Sequence, residues 1–140
     1  MKILVIDAQG GGLGKQLVGA LRAALPAAEI TAVGANSAAT AAMRKAGADF
    51  SATGENAVMV ACRAADVIVG PIGIVIADSM LGEITPAMTI AVGQSAAKRV
   101  LIPVNRCETM IAGVGGGTTA SLIEDAVRKI QRITEADDAT

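Results

Sequence analysis

The chain alternates short runs of β-branched and aliphatic residues with longer, alanine-rich segments whose apolar positions recur every three or four residues. Short apolar runs predict buried strands, and the longer periodic segments predict helices. The predicted strands span residues 2–6, 29–33, 49–52, 66–69 and 99–104. The predicted helices span residues 12–25, 37–46, 55–64, 74–95 (broken near 82–86) and 119–133.

This alternation of strands and helices is typical of a parallel sheet with right-handed crossovers. The fold class that we predict is α/β: a single doubly wound, mostly parallel five-stranded sheet between two helical layers, Rossmann-like in arrangement. A chain of 140 residues suits one domain. We expect that domain to span residues 1–134 and the polar residues 135–140 to form a frayed tail.

A glycine cluster follows the first predicted strand directly, in the stretch VIDAQGGGLGK at residues 5–15. A helix is predicted to begin within the cluster. Glycine allows a backbone to approach a ligand closely, and a helix N-terminus offers unpaired N–H groups to an anion. The stretch therefore predicts a phosphate-binding loop.

Three nucleotide-binding templates fit this loop to different degrees. The GxGxxG fingerprint fails at its third position, which is Lys15. The GxxxGxG variant of short-chain dehydrogenases keeps Gly12 and Gly14, although Ala8 replaces its first glycine. A P-loop like that of ParA-type ATPases matches up to Lys15, but Gln16 replaces the hydroxyl that ligates Mg²⁺. We therefore expect NAD or NADP before ATP or GTP, with a nucleotide hydrolase as the third hypothesis.

Nearly every predicted strand is followed by glycine and a small polar residue. Ligands of open parallel sheets bind at this carboxyl edge. An alternative is that such residues only form turns and helix caps. The predicted cofactor-binding residues are Asp7, Gln9, Gly10, Gly11, Gly12, Leu13, Gly14, Asn36, Ser37, Thr53, Gly54, Glu55, Asn56, Gly70, Pro71, Ile72, Gly73 and Asn105.

Two positions at this edge have competing interpretations. Asp7 would repel bare phosphate, so it either caps the loop or bonds a ribose hydroxyl or a cation. The second strand lacks the acid that usually grips the ribose of NAD. Asn36 could accept from a ribose hydroxyl, and Ser37 with Arg44 could meet a 2′-phosphate. Equally, Asn36 or Ser37 could be a helix N-cap, so NAD and NADP both stay open.

The candidates for chemistry are few, because the chain has no His and no Tyr. Triads with histidine and the Tyr-based dehydrogenase mechanism are therefore excluded. Asp78 and Glu83 interrupt an apolar predicted helix, where burial would raise the pKa of a carboxyl and suit it to acid–base catalysis. Cys107 beside Arg106 could be a thiolate nucleophile. The alternatives are a helix end or an interface rim for the acids and a structural thiol for the cysteine.

Composition limits the partners. The net charge is −1, no basic run occurs and Phe50 is the only aromatic residue, which excludes a nucleic-acid-binding surface. Without His, no metal site is predicted. Charged residues and prolines interrupt the longest apolar region, so no membrane span is predicted. We expect a cytoplasmic protein that binds a nucleotide or phosphorylated metabolite and associates as a homodimer or larger oligomer through residues 72–92.

The sequence resembles a bacterial family known as domain of unknown function 3842. The resemblance covers about three quarters of the chain. It rests on IDxQGGGxGK at 6–15, GxNSxAT at 34–40, AGAD at 46–49, ATGENA at 52–57, GPIGIVIADSxLGEITPAM at 70–88, GQS at 93–95 and IPVNxC at 102–107. Ala8 departs from the family pattern, which has Gly there, and residues 113–119 are also atypical. The resemblance implies a Rossmann-like fold and leaves the activity open. A second hypothesis is accordingly a non-catalytic metabolite sensor or assembly module.

Overall fold

A computed structural model describes residues 1–104 and 108–139. It contains one five-stranded, all-parallel sheet in the order β3-β2-β1-β4-β5. The strands are β1 (Lys2–Asp7), β2 (Glu29–Gly34), β3 (Phe50–Thr53), β4 (Val67–Pro71) and β5 (Lys98–Ile102). The helices are α1 (Gly12–Ala24), α2 (Ser37–Lys45), α3 (Glu55–Ala64), α4 (Pro86–Gln94) and α5 (Thr119–Asp138), with a 3₁₀ turn at Ile72–Val75. The predicted α/β fold class is confirmed.

Strand β1 lies at the centre of the sheet, and its side chains alternate between two cores. Ile3 and Val5 pack on one face with α1, α2 and α5, whereas Leu4 and Ile6 pack on the other face with α3 and α4. Because a strand that is buried on both faces needs apolar residues at every buried position, β1 is continuously apolar from Ile3 to Ile6. This arrangement gives the three layers that the sequence predicts.

The prediction of one helical region over residues 74–95 is wrong in its first half. After the 3₁₀ turn the chain forms turns, and α4 begins only at Pro86, with Thr85 as its N-cap. Asp78, Met80 and Leu81 have φ values of 64°, 54° and 59°, which a right-handed helix does not allow. The apolar periodicity misled because a loop can also bury hydrophobic residues.

The last helix extends further than the sequence predicts. Helix α5 runs to Asp138, whereas the sequence predicts that it ends at residue 133. Glu135 and Ala136 are good helix formers, so the helix can continue beyond its last core contact. An apolar stripe marks only the part of a helix that contacts the core, and here that part ends near Ile133.

Candidate functional site

The carboxyl end of β1 lies where the strand order reverses. The chain leaves β1 towards β2 on one side, and it leaves β4 towards β5 on the other. A crevice at such a point is the usual ligand-binding position of an open α/β sheet. The loop at residues 8–11 and the connection from β4 to α4 (residues 72–85) flank this position.

Asp7, the last residue of β1, stabilises the first turn of α1. Its carboxylate accepts from the amides of Gly14 at 2.7 Å and Ala8 at 2.8 Å. The side chain is only 5% exposed. Burial raises the pKa of Asp7, the two amide bonds oppose this, and the charge of Glu83 adds to the rise. These contacts match a capping role, which is one of the roles that the sequence leaves open for Asp7.

The glycines of the first loop fall into two groups. A Cβ on Gly11 would lie 2.7 Å from Cα of Ala39, and one on Gly14 would lie 2.5 Å from Sδ of Met43. These two glycines allow α1 to pack closely against α2. A Cβ on Gly10 or Gly12 would meet no atom within 4 Å, and both residues are exposed. Packing therefore explains the first pair but not the second.

Several amides of this loop are available to a ligand. Hydrogen bonds engage the N–H groups of Ala8, Gln9, Gly11 and Gly14. In residues 1–104 and 108–139, no acceptor pairs with the N–H groups of Gly10, Gly12 and Leu13. They lie at the N-terminal end of α1, where the helix dipole favours negative charge.

Glu83 joins the loop from the other side of the crevice. Its Oε1 accepts from the amide of Gln9 at 3.1 Å and from Nδ2 of Asn36 at 2.5 Å. Asn36 also donates to the carbonyl of Gln9 at 2.8 Å, and its Oδ1 accepts from Ala39 as the N-cap of α2. The structure thus brings three predicted site residues into one hydrogen-bonded cluster. Ser37 follows as the first residue of α2.

The turn after β3 lies at the same edge but bonds elsewhere. Oγ1 of Thr53 lies 2.7 Å from Oγ1 of Thr40, and Gly54 donates to the carbonyl of Gly34. Glu55 accepts from Oγ1 of Thr85 at 2.6 Å, and Asn56 is exposed. No hydrogen bond of the described residues joins these four predicted residues to the first glycine loop.

The predicted glycine pair after β4 is explained by packing. A Cβ on Gly70 would lie 2.4 Å from the carbonyl oxygen of Ile6 in the neighbouring strand. A Cβ on Gly73 would lie 2.6 Å from Cε of Met80, and the carbonyl of Gly73 accepts from Oγ of Ser79 at 2.5 Å. Pro71 is buried and Ile72 half-buried between them. The polypeptide itself covers this segment.

The predicted catalytic residues have different outcomes. Asp78 is exposed in a turn, so the apolar helical setting that suggested a desolvated acid does not exist. Glu83 is half-buried and contacts the glycine loop. Cys107 and the predicted cofactor residue Asn105 lie outside the described residues. Cys62 is buried, and burial raises the pKa of its thiol to about 11, which keeps it protonated near neutral pH.

The described residues contain neither a metal-binding cluster nor a membrane-spanning helix. No group of three or more His, Cys, Asp or Glu side chains placed to hold a metal ion occurs in that part of the chain. No helix there is both long and apolar enough to cross a membrane.

Fold and site together define a Rossmann-like α/β protein with a glycine loop at the strand-order reversal. The chain belongs to the family described as a domain of unknown function, DUF3842, whose model matches residues 2–135. A solved structure with a similar fold is a dodecameric FMN-dependent UbiX-like decarboxylase from Escherichia coli O157:H7. That protein is 17% identical, with a TM-score of 0.45 over 96% of this chain and 94% of the other. No curated protein matches the sequence.

Proposed function

We propose that the chain binds a nucleotide or dinucleotide of the NAD(P) type, with a phosphate group at the N-terminus of α1. The observation that carries this proposal is that the amides of Gly10, Gly12 and Leu13 have no hydrogen-bond partner in the part of the chain that the structure describes, with Gly10 and Gly12 exposed. Packing does not require glycine at positions 10 and 12, whereas close approach of a phosphate does. Their position beside the strand-order reversal supports the same function.

A P-loop hydrolase has less support. In a P-loop, the amides at the helix N-terminus surround the phosphates. Here the amide of Gly14 is engaged by the buried carboxylate of Asp7 at 2.7 Å. Lys15 is exposed on the first turn of α1. The free amides can contact one side of a phosphate group but do not surround it. This arrangement suits a dinucleotide better than an enclosed nucleoside triphosphate.

The test is calorimetric titration with NAD, NADP, ATP, GTP and FMN, comparing the wild type with Gly12→Glu. Position 12 is spacious and lies in the first helical turn, so the new carboxylate should leave stability unchanged or slightly higher. It should repel a phosphate and abolish nucleotide binding. Gly19→Glu is the matched control, because Gly19 lies on the same helix, is exposed and meets no atom within 4 Å.

Either of two results would contradict the proposal. One is the absence of heat and of thermal stabilisation with every nucleotide at millimolar concentration. The other is equal affinity of Gly12→Glu and the wild type for the nucleotide that binds.

A second candidate function is a non-catalytic sensor that changes its assembly when a metabolite binds. The observation that favours it is the outer surface of α3 and α4. Ile90 is 54% exposed and Val60 is 49% exposed. Ile90 lines a groove of about 510 Å³ between α3 and α4, together with Met59 and Ala91 among others. Exposed apolar surface of this kind is typical of an association site.

Light scattering on Ile90→Lys tests this candidate. We expect the wild type to form a homodimer or larger oligomer and the variant to dissociate. Met110→Lys is the matched control, since Met110 is 93% exposed and lies outside residues 72–92. A wild type that is monomeric at every concentration, with and without nucleotide, would eliminate the sensor hypothesis.

A further inference from the structure

Glu83 brings a carboxylate to the end of β2, although it belongs to a different part of the chain. Strand β2 ends at Gly34, and Asn36 follows as the N-cap of α2. Oε1 of Glu83 lies 2.5 Å from Nδ2 of Asn36. In dinucleotide-binding sheets, an acid at the end of this strand accepts from the ribose 2′-hydroxyl. The sequence lacks that acid at β2, and the fold supplies one from the connection between β4 and α4.

The second oxygen of this carboxylate is available. Oε1 is held by Gln9 from the glycine loop and by Asn36 from the end of β2. No donor in residues 1–104 and 108–139 pairs with Oε2. Both hydrogens of the Asn36 amide are engaged, by Gln9 and by Glu83. The carboxylate is therefore fixed in position, and one of its oxygens is free to accept from a ligand hydroxyl.

Arg44, which the sequence suggested as a partner for a 2′-phosphate, lies far from the end of β2. Arg44 lies in the last turn of α2, roughly 12 Å along the helix axis from the N-cap at Asn36. The charge in contact with Asn36 after the end of β2 is the negative charge of Glu83, which also acts on buried Asp7. A dianionic 2′-phosphate would face these carboxylates without a partner, whereas a hydroxyl would find an acceptor.

We propose that Glu83 is the specificity-determining residue of this site, accepting from the ribose 2′-hydroxyl and rejecting 2′-phosphorylated nucleotides. This inference rests on the proposed nucleotide-binding function and adds to it the choice of NAD over NADP. It also gives a ligand-related role to a residue that the sequence suggested only as a catalytic acid.

Calorimetric titration of NAD and NADP into the wild type, Glu83→Gln and Glu124→Gln tests the inference. The wild type should bind NAD at least 10-fold more tightly than NADP, because one unpaired charge contact changes affinity by about that factor. In Glu83→Gln the amide oxygen can still accept from Gln9, so the loop should stay in place. The ratio of the two affinities should approach 1. Glu124, exposed on α5, removes the same charge far from the site and should leave the ratio unchanged.

The ratio separates specificity from stability, because a purely structural role of Glu83 would weaken both nucleotides equally. If both bind and Glu83→Gln keeps the wild-type ratio, the specificity role is overturned while nucleotide binding stands. A wild type that prefers NADP also overturns it. If neither nucleotide binds to the wild type, the proposed function fails and this inference fails with it.

Discussion

The two connections that flank the crevice reach the same edge of the sheet by different means. The loop from β1 to α1 is short. The absence of a Cβ on Gly11 and Gly14 allows α2 to pack closely against it. The connection from β4 to α4 is long and bonds to itself: Asp78 donates to Ile84, and Gly82 donates to Asp78. It then returns Glu83 to the first loop. A glycine at this edge of a sheet therefore indicates a ligand site only if a Cβ in its place would point into open space rather than into a neighbouring element.

The largest effect is expected from Gly70→Ala, at the point where the two connections begin side by side. The new Cβ would lie 2.4 Å from a backbone oxygen of the neighbouring strand, and a central sheet cannot move apart cheaply. We expect a loss of about 3 kcal/mol in the free energy of unfolding, measured by urea denaturation. Gly10→Ala, in open space, is the control and should change stability by no more than ~0.5 kcal/mol. Equal effects would contradict the division into packed and open glycines.

The sequence predicts the strands and helices that border the first loop. Continuous apolar runs at the strands and periodic apolar faces on α1 and α2 are local patterns, and local patterns are what a single sequence contains. The elements around the first loop accordingly lie within one or two residues of their predicted positions. Which glycine faces a neighbouring helix is not a local property, because it depends on how α1 and α2 meet.

The next largest difference is expected within the first loop itself. Gly11 has φ of 72° and its Cβ would contact backbone atoms of Ala39, so Gly11→Ala should cost about 2 kcal/mol. Gly12→Ala, one residue later, places a better helix former at the open start of α1 and should stabilise by roughly 0.5 kcal/mol. Thermal unfolding of the pair measures the contrast. Destabilisation by both would mean that position 12 is also packed.

In the second connection, Ser79→Ala should have a smaller and more local effect. Its hydroxyl donates to the carbonyl of Gly73 at 2.5 Å and is buried, so its loss leaves that carbonyl without its donor and costs ~1 kcal/mol. Amide hydrogen exchange should accelerate in residues 76–84 more than in the first loop. Ser121→Ala removes a comparable hydroxyl bond at an exposed position on α5 and should be nearly neutral. Uniform acceleration throughout the protein would contradict a local anchor.

The position of Glu83 shows why the site was only partly predictable. The sequence placed this residue in an apolar helix with Asp78, because the surrounding residues are hydrophobic. Left-handed dihedrals at Asp78, Met80 and Leu81 instead fold the segment into turns, and of these three residue types only Asp is enriched at positive φ. The contact of Glu83 with Gln9 spans 74 positions of the chain. Such a contact depends on the strand order rather than on any motif.

The smallest expected effect is a dependence of stability on pH that arises at Asp7. Because its pKa is raised in the folded protein, mainly by burial, protonation of Asp7 favours folding. Its contribution is therefore fully present below the unfolded value of 3.8 and is lost as pH rises through the raised folded pKa. The difference in unfolding free energy between the wild type and Asp7→Asn should decrease over this range and become flat at higher pH.

Asp49 provides the opposite sign in the same protein. The amide of Ile30 and then the guanidinium of Arg22 lower the pKa of Asp49, so its contribution is present above 3.8 and is lost as pH falls. The difference in unfolding free energy between the wild type and Asp49→Asn should thus be independent of pH in the range where the difference for Asp7→Asn changes.

In Glu83→Gln, the Asp7 carboxyl should titrate at lower pH by NMR, because the charge of Glu83 raises its pKa. An unchanged Asp7 titration would mean that the two connections do not communicate through these charges.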